Sequence, residues 1–218
     1  MGAATARRLA DEGGTVELAD VDETRGREVA ASIGSAAWFV RVDVRDEESI
    51  CQALQTAVDL HGRIDCAAHV AGRPQEPGSL IGDPDAQWDD LMAVNARGLL
   101  WCLRHEAHHM IKSGAGGSIV NVTSAAGLKA FPGLGMYSVS KHAGVGLTAN
   151  AASELTSRGL RVNGIAPGAI STPMLDGLPH DVVAQFAENH PMGRFGSAAE
   201  VAGVAAFLLS GDAGYVSG

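Results

Sequence analysis

The chain has 218 residues, 46% of them hydrophobic and 19% charged, with a formal net charge of −9. That length and apolar content support a substantial core and exclude a disordered chain. The acidic balance argues against nucleic-acid or anionic-membrane surfaces, both of which need basic patches. No apolar run approaches membrane-spanning length, and the first residues carry no signal-peptide core. Cys51, Cys66 and Cys102 show no C-x-x-C spacing, so the expectation is a reduced, cytoplasmic protein whose thiols mostly pack as small hydrophobes.

In chain order, residues 1–12 predict a helix already under way, with Ala3, Ala6, Leu9 and Ala10 on one stripe and Gly13-Gly14 ending it. A short strand at 15–19 runs into Asp20-Val21-Asp22, a helix at 23–33 closes at Gly34, and a second strand at 37–42 ends in Asp43-Val44. An amphipathic helix at 46–60 stops at Gly62, and a third strand at 64–70 ends at Ala71-Gly72. Beyond a Pro- and Gly-rich loop, one long helix is expected over 84–113, a strand over 118–122 and a helix over 137–157. A strand at 160–166 breaks at Pro167-Gly168, residues 170–192 read as irregular, and a last helix covers 198–209.

Strands alternate with helices, and each strand is apolar on both faces. This is the pattern of an α/β, doubly wound, Rossmann-like parallel sheet with helices on both sides, read as a single domain over residues 1–218. Ligands of such sheets bind beyond the carboxyl ends of the strands. Asp20, Asp43, Ala71-Gly72, Ser124 and Pro167-Gly168 stand there, brought from five strands to one rim.

Asp20 stands where a dinucleotide fold places a carboxylate that accepts from the adenosine ribose hydroxyls, and a carboxylate there repels a 2′-phosphate, favouring NAD over NADP. Asp22 competes for that role, and both could simply form a turn. Ser124 closes a strand, and Tyr137 and Lys141 lie one turn apart on the face of the following helix. A phenol of pKa ~10 is a poor base at neutral pH. A neighbouring ammonium and an oxidised nicotinamide ring favour its phenolate, which could then take a proton from an alcohol whose oxygen Ser124 holds. A competing signal is His105-Glu106-Ala107-His108-His109, which satisfies the H-E-x-x-H zinc-peptidase pattern with His105 and His109 as ligands and Glu106 as base. No third ligand follows in a plausible setting, so no metal is expected and surface histidines are the better account. His69 lies on the rim and reads as a satisfied structural histidine.

Together these residues resemble the short-chain dehydrogenase/reductase (SDR) family over essentially the whole chain. Tyr137-Ser138-Val139-Ser140-Lys141 is similar to its Y-x-x-x-K, with Ser124 thirteen residues upstream as its catalytic Ser. Asn95 resembles the Asn of its water-linked proton relay. Asp43-Val44 resembles the pair beside the adenine, and the segment from Pro167 through Ile170 and Thr172 to Met174 resembles the P-G-x-x-x-T that holds the nicotinamide carboxamide. The resemblance implies a catalytic set of Asn95, Ser124, Tyr137 and Lys141. It implies a cofactor set of Gly2, Asp20, Asp43, Val44, Val70, Tyr137, Lys141, Pro167, Ile170 and Thr172, around NAD in preference to NADP. It also implies a small alcohol or ketone substrate and a homo-oligomer, a tetramer or dimer, built on the long helices.

Three departures qualify that reading. The family's Asn-Asn-Ala-Gly is here His69-Val70-Ala71-Gly72, which predicts altered local hydrogen bonding. Gly2 aligns with the end of the family's glycine-rich phosphate turn, so that turn and the central first strand are expected to be missing. The final edge strand is expected to be missing too, making the chain truncated at both ends. With strands ~4.8 Å apart, one vacancy would open a gap of about 10 Å in the sheet. The alternative of another class is a catalytically silent Rossmann-like subunit or binding protein.

Overall fold

Side-chain caps fix where several helices start. Asp22 accepts the Arg25 N–H at the start of α2 (Glu23–Ile33), and Asp46 accepts that of Glu48 at the start of α3 (Glu47–His61). Gly62 ends α3 in the left-handed region, at φ 83°, where a Cβ would be strained. The chain was analysed as a computed structural model, which describes residues 1–82, 85–172 and 190–218. Helix α1 (Gly2–Asp11) precedes β1 (Val16–Asp20), and β2 (Ala37–Arg41) lies between α2 and α3. Then come β3 (Cys66–His69), α4 (Asp85–Met92), α5 (Leu99–Ser113), β4 (Gly117–Val122), α6 (Gly135–Leu155) and β5 (Leu160–Ile165). The described residues close with β6 (Ile170–Ser171), β7 (Gly196–Ser197) and α7 (Ala198–Leu209). Among them, no helix is long and apolar enough to cross a membrane.

All strand pairs are parallel. β1 pairs with β2, and β3, β4 and β5 form a separate three-stranded sheet in that order. Among the described residues no ladder joins β1 to β3, so the first two strands stand apart from the other three, as a vacancy at the central position would leave them. β4 is the middle strand of the larger sheet, with Ile119 and Val120 fully buried on opposite faces. Ile119 packs with Leu103, Met110, Leu160 and Val162 beneath α5 and α6; Val120 packs with Ala205 and Leu209 of α7. Helices therefore cover both faces, as the apolar strands require.

Two expectations need correction. The helix foreseen over 84–113 is interrupted: α4 passes into a π-helical turn, Ala93–Gly98, before α5 begins. Such widened turns often mark functional positions, and Asn95 lies within this one. At its end Gly98 lies so close to Val44 that a Cβ would fall 2.8 Å from the Val44 carbonyl oxygen. The stretch read as irregular contains β6, which pairs with β7 through only two residues each, too few for any periodicity to register. Residues 173–189, which include Met174 at the end of the segment likened to P-G-x-x-x-T, lie outside the described residues.

Candidate active site

The end of β4 turns sharply at Ser124. Its backbone is extended, and its Oγ accepts the Ala126 N–H at 3.1 Å, capping a short 3₁₀ turn (Ala125–Gly127). The next N–H, of Ala125, donates to the Pro167 carbonyl at 2.8 Å, which ties the ends of β4 and β5 together. This turn brings the Ser124 hydroxyl close enough to the Tyr137 phenol, at the start of α6, to influence its pKa.

Burial pushes the Tyr137 phenol above its ordinary value, and the Ser124 hydroxyl pulls the other way. Lys141 is buried one turn on, its Nζ 5.7 Å from the Tyr137 ring centroid. Its ammonium donates to the Val122 carbonyl at a long 3.4 Å. Burial draws the ammonium down to about 8, with no carboxylate compensating it. Burial is the larger influence on the phenol.

Asn95 is buried and fully engaged. Its Oδ1 accepts the Arg73 N–H at 2.8 Å, and its Nδ2 donates to the Arg73 carbonyl and to Ser140 Oγ, both at 3.0 Å. Asn95, Lys141, His69 and Thr123 help to line a cavity of about 10 Å³ beneath the site. That is close to the smallest polar void that holds one water.

The His69 departure has a definite structural consequence. Asn121 Nδ2 donates to Thr148 Oγ1 at 2.9 Å, and that hydroxyl donates to the Gly144 carbonyl at 2.8 Å. This direction leaves Asn121 Oδ1 to accept from His69 Nδ1 at 2.7 Å, while His69 Nε2 meets Glu106 Oε2 at 2.6 Å. Burial alone lowers the imidazole pKa, but the Glu106 charge and the bonds to Glu106 and Asn121 raise it above the usual value. Glu17 on β1 is pushed up to about 7 by burial, against its hydrogen bond from Trp38 and with a further push from Glu106. Cys102 on α5 is likewise pushed up by burial and by Glu106.

His108 is exposed and His105 and His109 are half-buried, as the surface-histidine account expects; Glu106 is the member of 105–109 that departs from it. Glu106 faces the core and His69, whereas His105 Nε2 meets Glu47 Oε1 at 2.8 Å on another face. A general-base role for Glu106 beside His105 and His109 does not fit that orientation, and no group of three metal-ligating side chains occurs among the described residues. Of the cysteines, Cys51 and Cys102 are half-buried and Cys66 is exposed.

The remaining expected cofactor residues lie along the same rim. Asp22 is occupied as the α2 cap, while Asp20 is exposed and accepts the Asp22 N–H at 3.0 Å. Asp43 is held to about 2, chiefly by its hydrogen bonds from Arg45. Val44 packs with the Val42 and Ile50 cluster. Gly2, at the start of α1, lies against Val70, where a Cβ would be 3.8 Å from the Val70 side chain. Thr172 Oγ1 donates to the Ile170 carbonyl at 3.4 Å. Sequence reasoning missed Gln75, whose Oε1 accepts the Tyr137 N–H at 2.8 Å, and the pairing of His69 with Glu106. Nothing in the one-dimensional pattern marks Gln75.

A family model described as enoyl-(acyl carrier protein) reductase, an SDR model, matches residues 1–218. The chain belongs to the short-chain dehydrogenase/reductase family. It is 36% identical to 2,5-dichloro-2,5-cyclohexadiene-1,4-diol dehydrogenase of Sphingobium indicum, over 100% of this chain and 88% of that protein. It is 37% identical, with the same coverage, to cis-4-hydroxycyclohexanecarboxylate dehydrogenase of Sinomonas cyclohexanicum. Among solved structures, levodione reductase superposes with a TM-score of 0.95 at 33% identity, over 99% of this chain and 88% of that one. Two further SDR-like structures carry a nicotinamide cofactor. ElxO with NADP bound has a TM-score of 0.91 at 28% identity, and 3-ketoacyl-(acyl-carrier-protein) reductase of Brucella melitensis with NADH has 0.93 at 29%; each match covers 98% of this chain and 88% of the other.

Proposed function

We propose that this SDR protein is a nicotinamide-dependent oxidoreductase that interconverts a cyclic secondary alcohol and its ketone, with Tyr137 as the general acid/base. The observation that carries the reading is the half-buried Tyr137 phenol, near enough to Ser124 for the hydroxyl to lower its pKa, one helical turn from a buried, uncompensated Lys141. The ring substrates come from the names of the relatives.

The residues present fit a nicotinamide cofactor. Lys141 has a buried ammonium with one long hydrogen bond, and so retains donors for ribose hydroxyls beside Tyr137. Asp20 would take the adenosine ribose, and its exposed carboxylate favours NAD over NADP. Gly2, at the start of α1 where no side chain caps the helix, and the neighbouring Val70 after β3 would lie beside the pyrophosphate, Asp43 and Val44 near the adenine, and Pro167, Ile170 and Thr172 near the carboxamide. When bound, the cofactor accepts or donates the hydride; the protein positions the substrate and moves the proton.

For alcohol oxidation, Ser124 and Tyr137 hold the substrate oxygen, and Tyr137 Oη takes its proton. Because burial favours the neutral phenol, nearby positive charge must stabilise the phenolate, and Lys141 is placed to do so. A water in the cavity beside Asn95 and Lys141 then returns the proton toward solvent. The residues act within one domain, which we place in the cytoplasm. A homotetramer or dimer would cover the groove between α5 and α6 lined by Ala96, Leu100, Ala143 and Leu147, and the exposed Val204 and Phe207 of α7.

The test is cofactor-linked turnover of cyclohexanol and 1,4-cyclohexanediol with NAD and NADP offered separately, alongside calorimetric titration with NADH. Turnover of a ring alcohol with NAD supports the reading. A folded protein that binds neither NADH nor NADPH contradicts it and leaves the silent-subunit alternative.

A further inference from the structure

Tyr137 is the third residue of α6, so its backbone N–H is among the donors at a helix start that have no partner inside the helix. Leu134, at the cap position, supplies no side-chain hydrogen bond. The partner comes from 62 positions away: the buried Gln75 Oε1 accepts this N–H at 2.8 Å. On the other side of the same residue, the Tyr137 carbonyl accepts the Ser140 hydroxyl at 2.8 Å, and Ser140 Oγ accepts Asn95 Nδ2 at 3.0 Å.

Asn95 closes the ring. Its two bonds to the Arg73 backbone fix the chain two residues before Gln75. Arg73 is anchored in turn by its ion pair with Asp90, at 2.7 Å. Side chains from the loop after β3, from the π-turn and from α6 itself thus hold both polar groups of the Tyr137 backbone.

We propose that Gln75 is a positioning residue for Tyr137, its side-chain oxygen setting where the first turn of α6 places the phenol opposite Ser124. The proposal rests on the acid/base reading of Tyr137 given above. The phenol meets Ser124 at the very start of the helix, where backbone hydrogen bonding is weakest. Without the acceptor, the Tyr137 N–H is buried and unpaired, and the turn relieves that cost by loosening. A displacement of the order of 1 Å at a reacting group is enough to cost about a hundredfold in rate.

The experiment compares Gln75→Met, which keeps the shape and loses the acceptor, with Gln75→Glu, which keeps an acceptor that a helix start favours. Three quantities are read in the full chain: kcat and KM with cyclohexanol, NADH affinity by calorimetry, and hydrogen–deuterium exchange at the Tyr137 amide. Gln75→Met is expected to lower kcat by about ten- to a hundredfold, leave NADH affinity unchanged and make the Tyr137 amide exchange freely. Gln75→Glu is expected to keep that amide protected and recover most of kcat. Should Gln75→Met not fold, Ser140→Ala removes the carbonyl-side bond with little change in volume and is expected to lower kcat in the same sense.

Wild-type kcat in Gln75→Met, a protected Tyr137 amide in Gln75→Met, or Gln75→Glu as slow as Gln75→Met would each overturn the proposal. Tyr137→Phe run alongside separates the two claims. Turnover by Tyr137→Phe sinks the acid/base reading itself, whereas an inactive Tyr137→Phe beside a fully active Gln75→Met sinks only the positioning role. The amide exchange reads the clamp without any turnover.

Discussion

At the ends of β3 and β4 the polar side chains are buried and hold one another across elements. At the ends of β1 and β2 they stand in solvent and hold their own local backbone. His69, Asn121, Glu106 and Thr148 join two strands and two helices, and Asn95 and Gln75 lock the Tyr137 turn. By contrast, Asp20 bonds the N–H two residues on, Asp22 caps the next helix, and Asp43 grips Arg45. The half proposed to handle the proton is thus fixed by tertiary contacts before any ligand arrives. The half assigned to the adenosine is built from turn chemistry that any strand end could supply. Substitutions in the first half should disturb stability and rate together, and those in the second should have little effect on stability and act, where they act, on ligand preference.

The largest expected break is at His69. Replacing it with Leu strands a buried carboxylate and leaves Asn121 Oδ1 unpaired, at a cost of about 3–5 kcal/mol. His69→Asn combined with Glu106→Gln should recover more than half of that loss in chemical denaturation. The pH dependence has a definite sign. The folded imidazole sits above its ordinary 6.5 because Glu106 and Asn121 outweigh burial. The stabilisation is therefore fully present below pH 6.5 and lost as pH rises through the folded value. Glu17 and Cys102 also face Glu106, so the double variant, which removes that charge, lowers their pKa values as well, whereas His69→Leu leaves the charge in place.

Lys141→Met should move stability the other way. Folding draws this ammonium from 10.5 to about 8 through burial. The penalty is complete below the folded value and disappears as pH rises past the unfolded one. Its removal should stabilise the fold at neutral pH by about 3 kcal/mol, and it should abolish turnover. A destabilised Lys141→Met would mean that the ammonium has compensation in the folded protein.

How much of this was legible in the sequence follows from the range of the interactions. Helix starts at Asp22 and Asp46 and the stop at Gly62 are local chemistry, and the structure has them where the pattern placed them. The separation of the first two strands from the others also followed from strand order. The π-turn at Asn95 has no one-dimensional signature, because its residues would serve equally well in an α-helix. His69 was placed on the rim and Glu106 within a suspected zinc pattern. Their contact spans 37 positions and exists only through the packing of β3 against α5. Gln75 lies in a loop whose composition reads only as a turn.

On the adenosine side the expected effects are smaller. Asp20→Ser should shift the preference between NAD and NADP by about five- to tenfold toward NADP, with no change in thermal midpoint. An unchanged preference would remove Asp20 from the ribose site. Smallest of all should be Arg45→Ala. Arg45 holds Asp43 at about 2, below its ordinary 3.8, so the stabilisation is present above pH 3.8 and lost as pH falls through about 2. Solvent screens this exposed pair, and only a slight change in thermal midpoint is expected, absent from the variant's own acid limb.

The most direct test of the proton-handling account is Tyr137→Phe, measured by NADH titration and by NAD-linked turnover of 1,4-cyclohexanediol on the same preparation. The account predicts unchanged NADH affinity with turnover lowered by about a thousandfold, the scale of a lost general acid/base. Turnover within about tenfold of the unsubstituted protein would contradict it, because the proton would then be travelling by another route.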